Sequence, residues 1–129
     1  TALGQIQAGT RAIFQVAGGC GLGALSAAQE AKIWGIGVDA DQLYLGRHML
    51  TSALKRVDVA VSDLTKLAAA GKLKVQRDYQ YSLKNNGVSL GSVNPRVKGT
   101  LVAKTNAIAK QIGAGKIKVK PIMKFKASN

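Results

Sequence analysis

Residues 12–41, AIFQVAGGCGLGALSAAQEAKIWGIGVDAD, constrain the fold more than any other part of the chain. They read as an apolar strand, a glycine-rich turn, a short alanine-rich helix and a second apolar strand that ends in two aspartates. Strand, helix and strand in that order make a βαβ unit, which joins parallel strands. The continuous apolar run at 34–39 has strand length and suits a strand covered on both faces. In open α/β sheets, small ligands bind outside the carboxyl ends of the strands. The glycine turn at 18–23 and the carboxylates of Asp39 and Asp41 both fall at that edge.

The remaining elements follow from periodicity and turn chemistry. Residues 1–9 read as the end of a helix capped by Gly9, and a chain that opens inside a helix is expected to be a piece of a longer protein. A third strand is predicted over 48–54. A helix is predicted over 57–70, with Val57, Ala60, Val61, Leu64 and Leu67 on one face. Residues 75–83 alternate, and Asn86-Gly87 leads into 88–90, which predicts a hairpin. Asn94-Pro95 is read as the N-cap and first residue of a helix carrying Val97, Leu101, Ile108 and Ile112. Strands and helices alternating before the hairpin give an α/β fold with a largely parallel sheet and flanking helices. That sheet is short for a free-standing doubly wound domain.

Charge divides the chain. The net charge is +13, and residues 1–54 contribute none of it, because Arg11, Lys32 and Arg47 are balanced by Glu30, Asp39 and Asp41. All the excess lies in 55–129, densest at 116–126. Such a half can serve an anionic partner, and a basic nucleic-acid-binding module is one alternative reading. The dispersed lysines, few aromatics and lack of an RNP-type motif favour a solvated surface and no specific nucleic acid. No run of about 18 apolar residues marks a membrane span. No basic segment followed by an apolar one marks a signal peptide. Ala17-Gly18-Gly19-Cys20 superficially resembles a lipoprotein cleavage box, but the segment before it is short and interrupted by Arg11 and Gln15.

The chemistry available at the strand ends is that of a binding site. Gly18 and Gly19 let backbone approach a ligand, and the following helix offers free N–H groups. Asp39 can accept hydrogen bonds from paired hydroxyls. Lys55, closing the third strand, lies at the same edge if the strands are parallel, where it can pair with Asp39 or donate to a hydroxyl. Gly19, Gly21 and Gly23 approach a dinucleotide fingerprint without matching GxGxxG, so a dinucleotide-binding enzyme is the second alternative. With one cysteine and one histidine, the chain offers no disulfide, and neither a catalytic pair nor a zinc site is expected. No cofactor and no enzymatic activity are expected.

Five segments in order carry a resemblance: IFQVAGGCG (13–21), IGVDADQ (36–42), LTSALKRVD (50–58), YSLKNNGVSL (81–90) and IGAGKIKV (112–119). Together they resemble the basic membrane protein family, the substrate-binding lipoproteins of ABC transporters typified by purine nucleoside receptors. The resemblance implies a type I periplasmic-binding-protein-like fold of two α/β lobes, with residues 1–129 as the C-terminal portion only. It implies that Gly18 and Gly19 face the ligand through backbone and that Asp39 and Lys55 address sugar hydroxyls. An aromatic that sandwiches the base in the family is expected upstream of Thr1. Cys20 stands where the family has threonine. The implied partners are a purine nucleoside or related solute and an ABC permease. The implied location is the cell surface or periplasm, through a lipid anchor outside this chain. An uncovered apolar edge is expected to favour self-association of the isolated piece.

Overall fold

The computed structural model describes residues 2–120. Its order is α1 (Ala2–Gln7), β1 (Ala12–Phe14), α2 (Gly21–Glu30), β2 (Trp34–Asp39), β3 (Met49–Lys55), α3 (Val57–Ala69), β4 (Val88–Leu90) and α4 (Gly99–Gly113). Single 3-10 turns at Gly18–Cys20, Leu43–Leu45 and Leu83–Asn85 shape the connections. The strands form one sheet in the order β1-β2-β3-β4. The first three are parallel, and β4 runs antiparallel to β3. The predicted α/β class and parallel βαβ unit are therefore present.

Register explains why β2 contains two glycines. Gly35 lies opposite Ile13 and Met49, and Gly37 lies opposite Ser52, so these residues share one sheet face. A Cβ on Gly35 would come within 3.0 Å of both the Leu25 side chain and the Met49 sulfur. One on Gly37 would stand 2.5 Å from the Ser52 hydroxyl. The two glycines hollow the face so that α2 can seat Leu25, and the Gln42 side chain can reach the strand. Among the described residues, Ile13, Leu25, Ala28 and Met49 are the buried apolar side chains.

The opposite face carries Ala12, Phe14, Trp34, Ile36, Val38, Ala53 and Leu90. It is only partly covered: Phe14 is 52% exposed, although parallel sheets are ordinarily buried on both sides. The helical periodicity of α3 and α4 is as predicted, yet neither helix has a buried residue, and Val61 and Leu101 point into solvent.

Three local expectations are corrected. Residues 75–83 form no strand; β4 pairs with β3 instead, and no hairpin forms. Asn86 adopts a left-handed conformation (φ 57°) as the cap of the Leu83–Asn85 turn, so Asn-Gly serves a turn end. Ser82 accepts from the Lys84 amide while Asn85 accepts from the Ser82 amide, and this local closure outcompetes strand pairing. The last helix begins at Gly99 rather than after Asn94. Asn94 is buried and accepts from the Arg96 amide, making a turn of its own, while its amide group donates to the Arg47 and Met49 carbonyls. Finally, β1 stops at Phe14 rather than continuing to residue 17, because Gln15 turns its side chain back to accept from the Ala17 amide. Part of the basic run at 116–126 lies outside the described residues. No helix among the described residues is long and apolar enough to cross a membrane.

Candidate functional site

Because β1, β2 and β3 are parallel neighbours, their C-terminal ends open on one edge. The 3-10 turn carrying Gly18 and Gly19 follows β1, Asp39 ends β2 and Lys55 ends β3. Gly18 has a positive φ of 54°, which glycine adopts without strain. A side-chain carbon at either glycine would meet nothing within 4 Å, so the turn presents open backbone.

Asp39 and Lys55 touch. The Lys55 Nζ lies 2.9 Å from Asp39 Oδ1, and the two side chains are 64% and 53% exposed, respectively. Asp39 itself is held at φ 66°, a left-handed conformation uncommon outside glycine, asparagine and aspartate. The pair can be approached from solvent, with hydrogen-bonding capacity left on both partners. Its direct contribution to stability is small at that exposure.

Asp41 plays a different part. Its Oδ2 accepts from the Ser92 amide at 2.9 Å and its Oδ1 from the Leu43 amide at 3.2 Å. Hydrogen bonding from Ser92, by side chain and then by amide, holds the carboxyl below its ordinary value; burial opposes this, and the Leu43 amide assists. Asp41 clamps the segment after β4 to the end of β2.

Beneath the edge runs a polar network that sequence reasoning did not single out. Gln15 Nε2 donates to Gln42 Oε1 at 3.2 Å, and that oxygen also accepts from the Val38 amide at 3.1 Å. The Gln42 amide donates to Ser52 Oγ at 2.9 Å. One chain of hydrogen bonds thus links the residue after β1, the end of β2 and the middle of β3. Its one sequence signal is Gln15, a polar residue in an otherwise apolar strand.

Asp39 and Lys55 stand in the wall of a groove of about 940 Å³. The sheet supplies Val38, Ala53 and Leu90, and α4 supplies Ile108 and Ile112 across from them. Lys84, Asn86 and Asn106 add polar groups. Gly18 and Gly19 do not line it; they follow β1, the strand on the far side of β2 from β3. The arrangement can hold a small polar solute by hydrogen bonds over an apolar floor.

Comparison with known proteins bears on the family and the fold. A family model described as ABC transporter substrate-binding protein PnrA-like matches residues 1–122. A CD4+ T-cell-stimulating antigen of Listeria monocytogenes is 34% identical over 86% of this chain and 36% of its own length. The ABC transporter nucleoside-binding protein BmpA of Lactococcus lactis is 38% identical over 67% of this chain and 30% of its own length. The chain thus spans about a third of the length of these curated relatives. Among solved structures, a transcriptional activator of the comK gene from Bacillus halodurans superposes with a TM-score of 0.82 at 21% identity, over 89% of this chain and 41% of that one. An ABC transporter solute-binding protein from Aeropyrum pernix gives 0.75 at 23% identity, over 95% of this chain and 44% of that one. These two likenesses establish the fold.

Proposed function

Since the chain belongs to the PnrA-like family of ABC transporter substrate-binding proteins, we propose that residues 1–129 are the C-terminal part of a solute receptor that serves an ABC permease outside the cytoplasm, anchored at the membrane as a lipoprotein. The solute is a purine nucleoside. The observation that carries this reading is the exposed Asp39–Lys55 pair, 2.9 Å apart, at the C-terminal sheet edge. A carboxylate and an ammonium side by side match the paired hydroxyls of a ribose, the first accepting and the second donating. The name of the Lactococcus lactis relative supports a nucleoside. Gly18 and Gly19 approach the ligand through backbone from the neighbouring strand end. Binding and release, with no covalent step, is the whole of the chemistry.

A small solute is usually enclosed on most of its surface. This chain offers one wall, so alone it binds nucleosides weakly or not at all, and its open apolar surface favours self-association. Titration calorimetry with guanosine, adenosine and inosine tests the reading on two proteins. One is this chain. The other is a chimaera in which the rest of the Lactococcus lactis relative supplies the remaining length. The chimaera should bind, and Asp39→Ala in it should cost about 1–3 kcal/mol, roughly five- to 150-fold in Kd. Undiminished affinity in that variant would remove Asp39 from the site. Affinity that falls steeply with salt would favour phosphate contacts and the nucleic-acid reading instead.

A further inference from the structure

The opposite end of the sheet carries a second cluster of charged side chains around a hollow. Trp34 opens β2 and His48 precedes β3, so both lie at the N-terminal edge, roughly 17–23 Å along the strands from Asp39 and Lys55. A cavity of about 450 Å³ there is lined by Lys32, Arg47 and Arg96 together with Trp34, His48 and Gln29. No carboxylate lines it, and none of the three cations has an ion pair among the described residues, where the pairs are Lys55–Asp39 and Arg56–Asp58. Three positive charges around one hollow, all solvent-exposed, are drawn together by an anion that accepts from more than one of them.

One of the cations, and the backbone that carries two of them, are held in place. The Arg96 guanidinium lies over the Trp34 ring, 5.3 Å from its centroid, a cation–π contact that leaves its N–H groups available as donors. The Asn94 side chain, 6% exposed, accepts from the Arg96 amide at 3.0 Å and donates to the Arg47 carbonyl at 3.1 Å. One buried amide therefore ties together the two segments that carry the arginines. An adjoining hollow of about 720 Å³ shares both arginines, so they are open to ligand from two sides. His48 completes the wall, with both ring nitrogens shielded from water and without a hydrogen-bond partner. Burial lowers its pKa.

We propose that this cavity binds a phosphate group, either free inorganic phosphate or the phosphate of an anionic lipid headgroup. Guanidinium edges pair with phosphate oxygens in two-pronged fashion, and three cations exceed what a single carboxylate neutralises. The site is separate from the solute edge and independent of what binds there.

The test follows the side-chain nitrogens of Arg47 and Arg96 and the ring signals of His48 by NMR while inorganic phosphate is added to the full chain. Saturable shifts of these groups, and a His48 pKa that rises with phosphate present, are the expected result. A nearby anion favours the imidazolium that burial disfavours. Arg47→Gln with Arg96→Gln should weaken binding at least about tenfold. Lys104→Gln with Lys118→Gln, which removes the same charge elsewhere, should leave it unchanged. A second arm sediments the same proteins with vesicles of phosphatidylcholine, with and without phosphatidylglycerol. If phosphate does not saturate but the arginine variant alone loses vesicle binding about tenfold, the phosphate is a headgroup. If phosphate saturates and both variants sediment alike, it is free. If neither phosphate nor vesicles distinguish the arginine variant from the lysine variant, the proposal is overturned.

Discussion

Between Ala2 and Lys55 lie all the enclosed apolar side chains of the described residues, Ile13, Leu25, Ala28 and Met49, whereas α3 and α4 enclose none. The first region is a parallel sheet with α2 pressed into the hollow left by Gly35 and Gly37. The second is held by scattered polar ties. Tyr81 donates its hydroxyl proton to the Ala60 carbonyl, Ser92 donates its amide to Asp41, and Ser82 and Asn85 close a turn on each other. The charge divides at the same place, neutral before residue 55 and strongly basic after it. Packing supplies the rigid edge on which the candidate site is mounted. The loosely attached region forms the far wall of the groove, and such regions open at lower free energy than the core.

The sharpest break of this comparison is truncation of a side chain in each region. Leu25→Ala should lower the unfolding free energy by about 2–5 kcal/mol, read by urea denaturation, because it leaves a cavity under β2. Leu101→Ala on α4, at a side chain 55% exposed, should change it by no more than about 0.5 kcal/mol. Equal losses would mean that α4 is packed as firmly as α2.

A smaller effect isolates the polar network under the site. Ser52→Ala removes the hydroxyl that accepts from the Gln42 amide in a fully buried position. It should cost about 1–3 kcal/mol and reduce hydrogen-exchange protection at Gln42 and Val38. Unchanged protection would show that the strand ends are fixed by the sheet alone.

The smallest effect concerns the tie between the regions. Hydrogen bonds from Ser92 depress the Asp41 pKa below 3.8. A group with a depressed folded pKa contributes stability above its unfolded value, and that contribution is lost as pH falls through the folded one. Acid below about pH 4 should therefore loosen the clamp on residues 91 and 92. Asp41→Asn should flatten that part of the pH–stability curve. An unaltered acid limb would place the loss at another carboxylate.

What the sequence alone determined is local and short-range. The βαβ unit and β2 at Trp34–Asp39 were legible, because each rests on an apolar run between turn signals; the sequence put Asp39 and Lys55 at strand ends, and the parallel pairing decided between their contact and its alternative. Tertiary structure decided the rest. Residues 75–83 alternate like a strand, yet the turn at Ser82–Asn85 satisfied their neighbours' backbone, and β3 offered β4 a better edge. Asn94 carries the signature of a helix cap, but burial beside the Arg47 and Met49 carbonyls used its side chain elsewhere. The Gln15–Gln42–Ser52 network and the cluster of Lys32, Arg47 and Arg96 each join residues far apart along the chain. Periodicity sees only neighbours within a turn or a strand, and contacts of that range exist only once the sheet has closed its register.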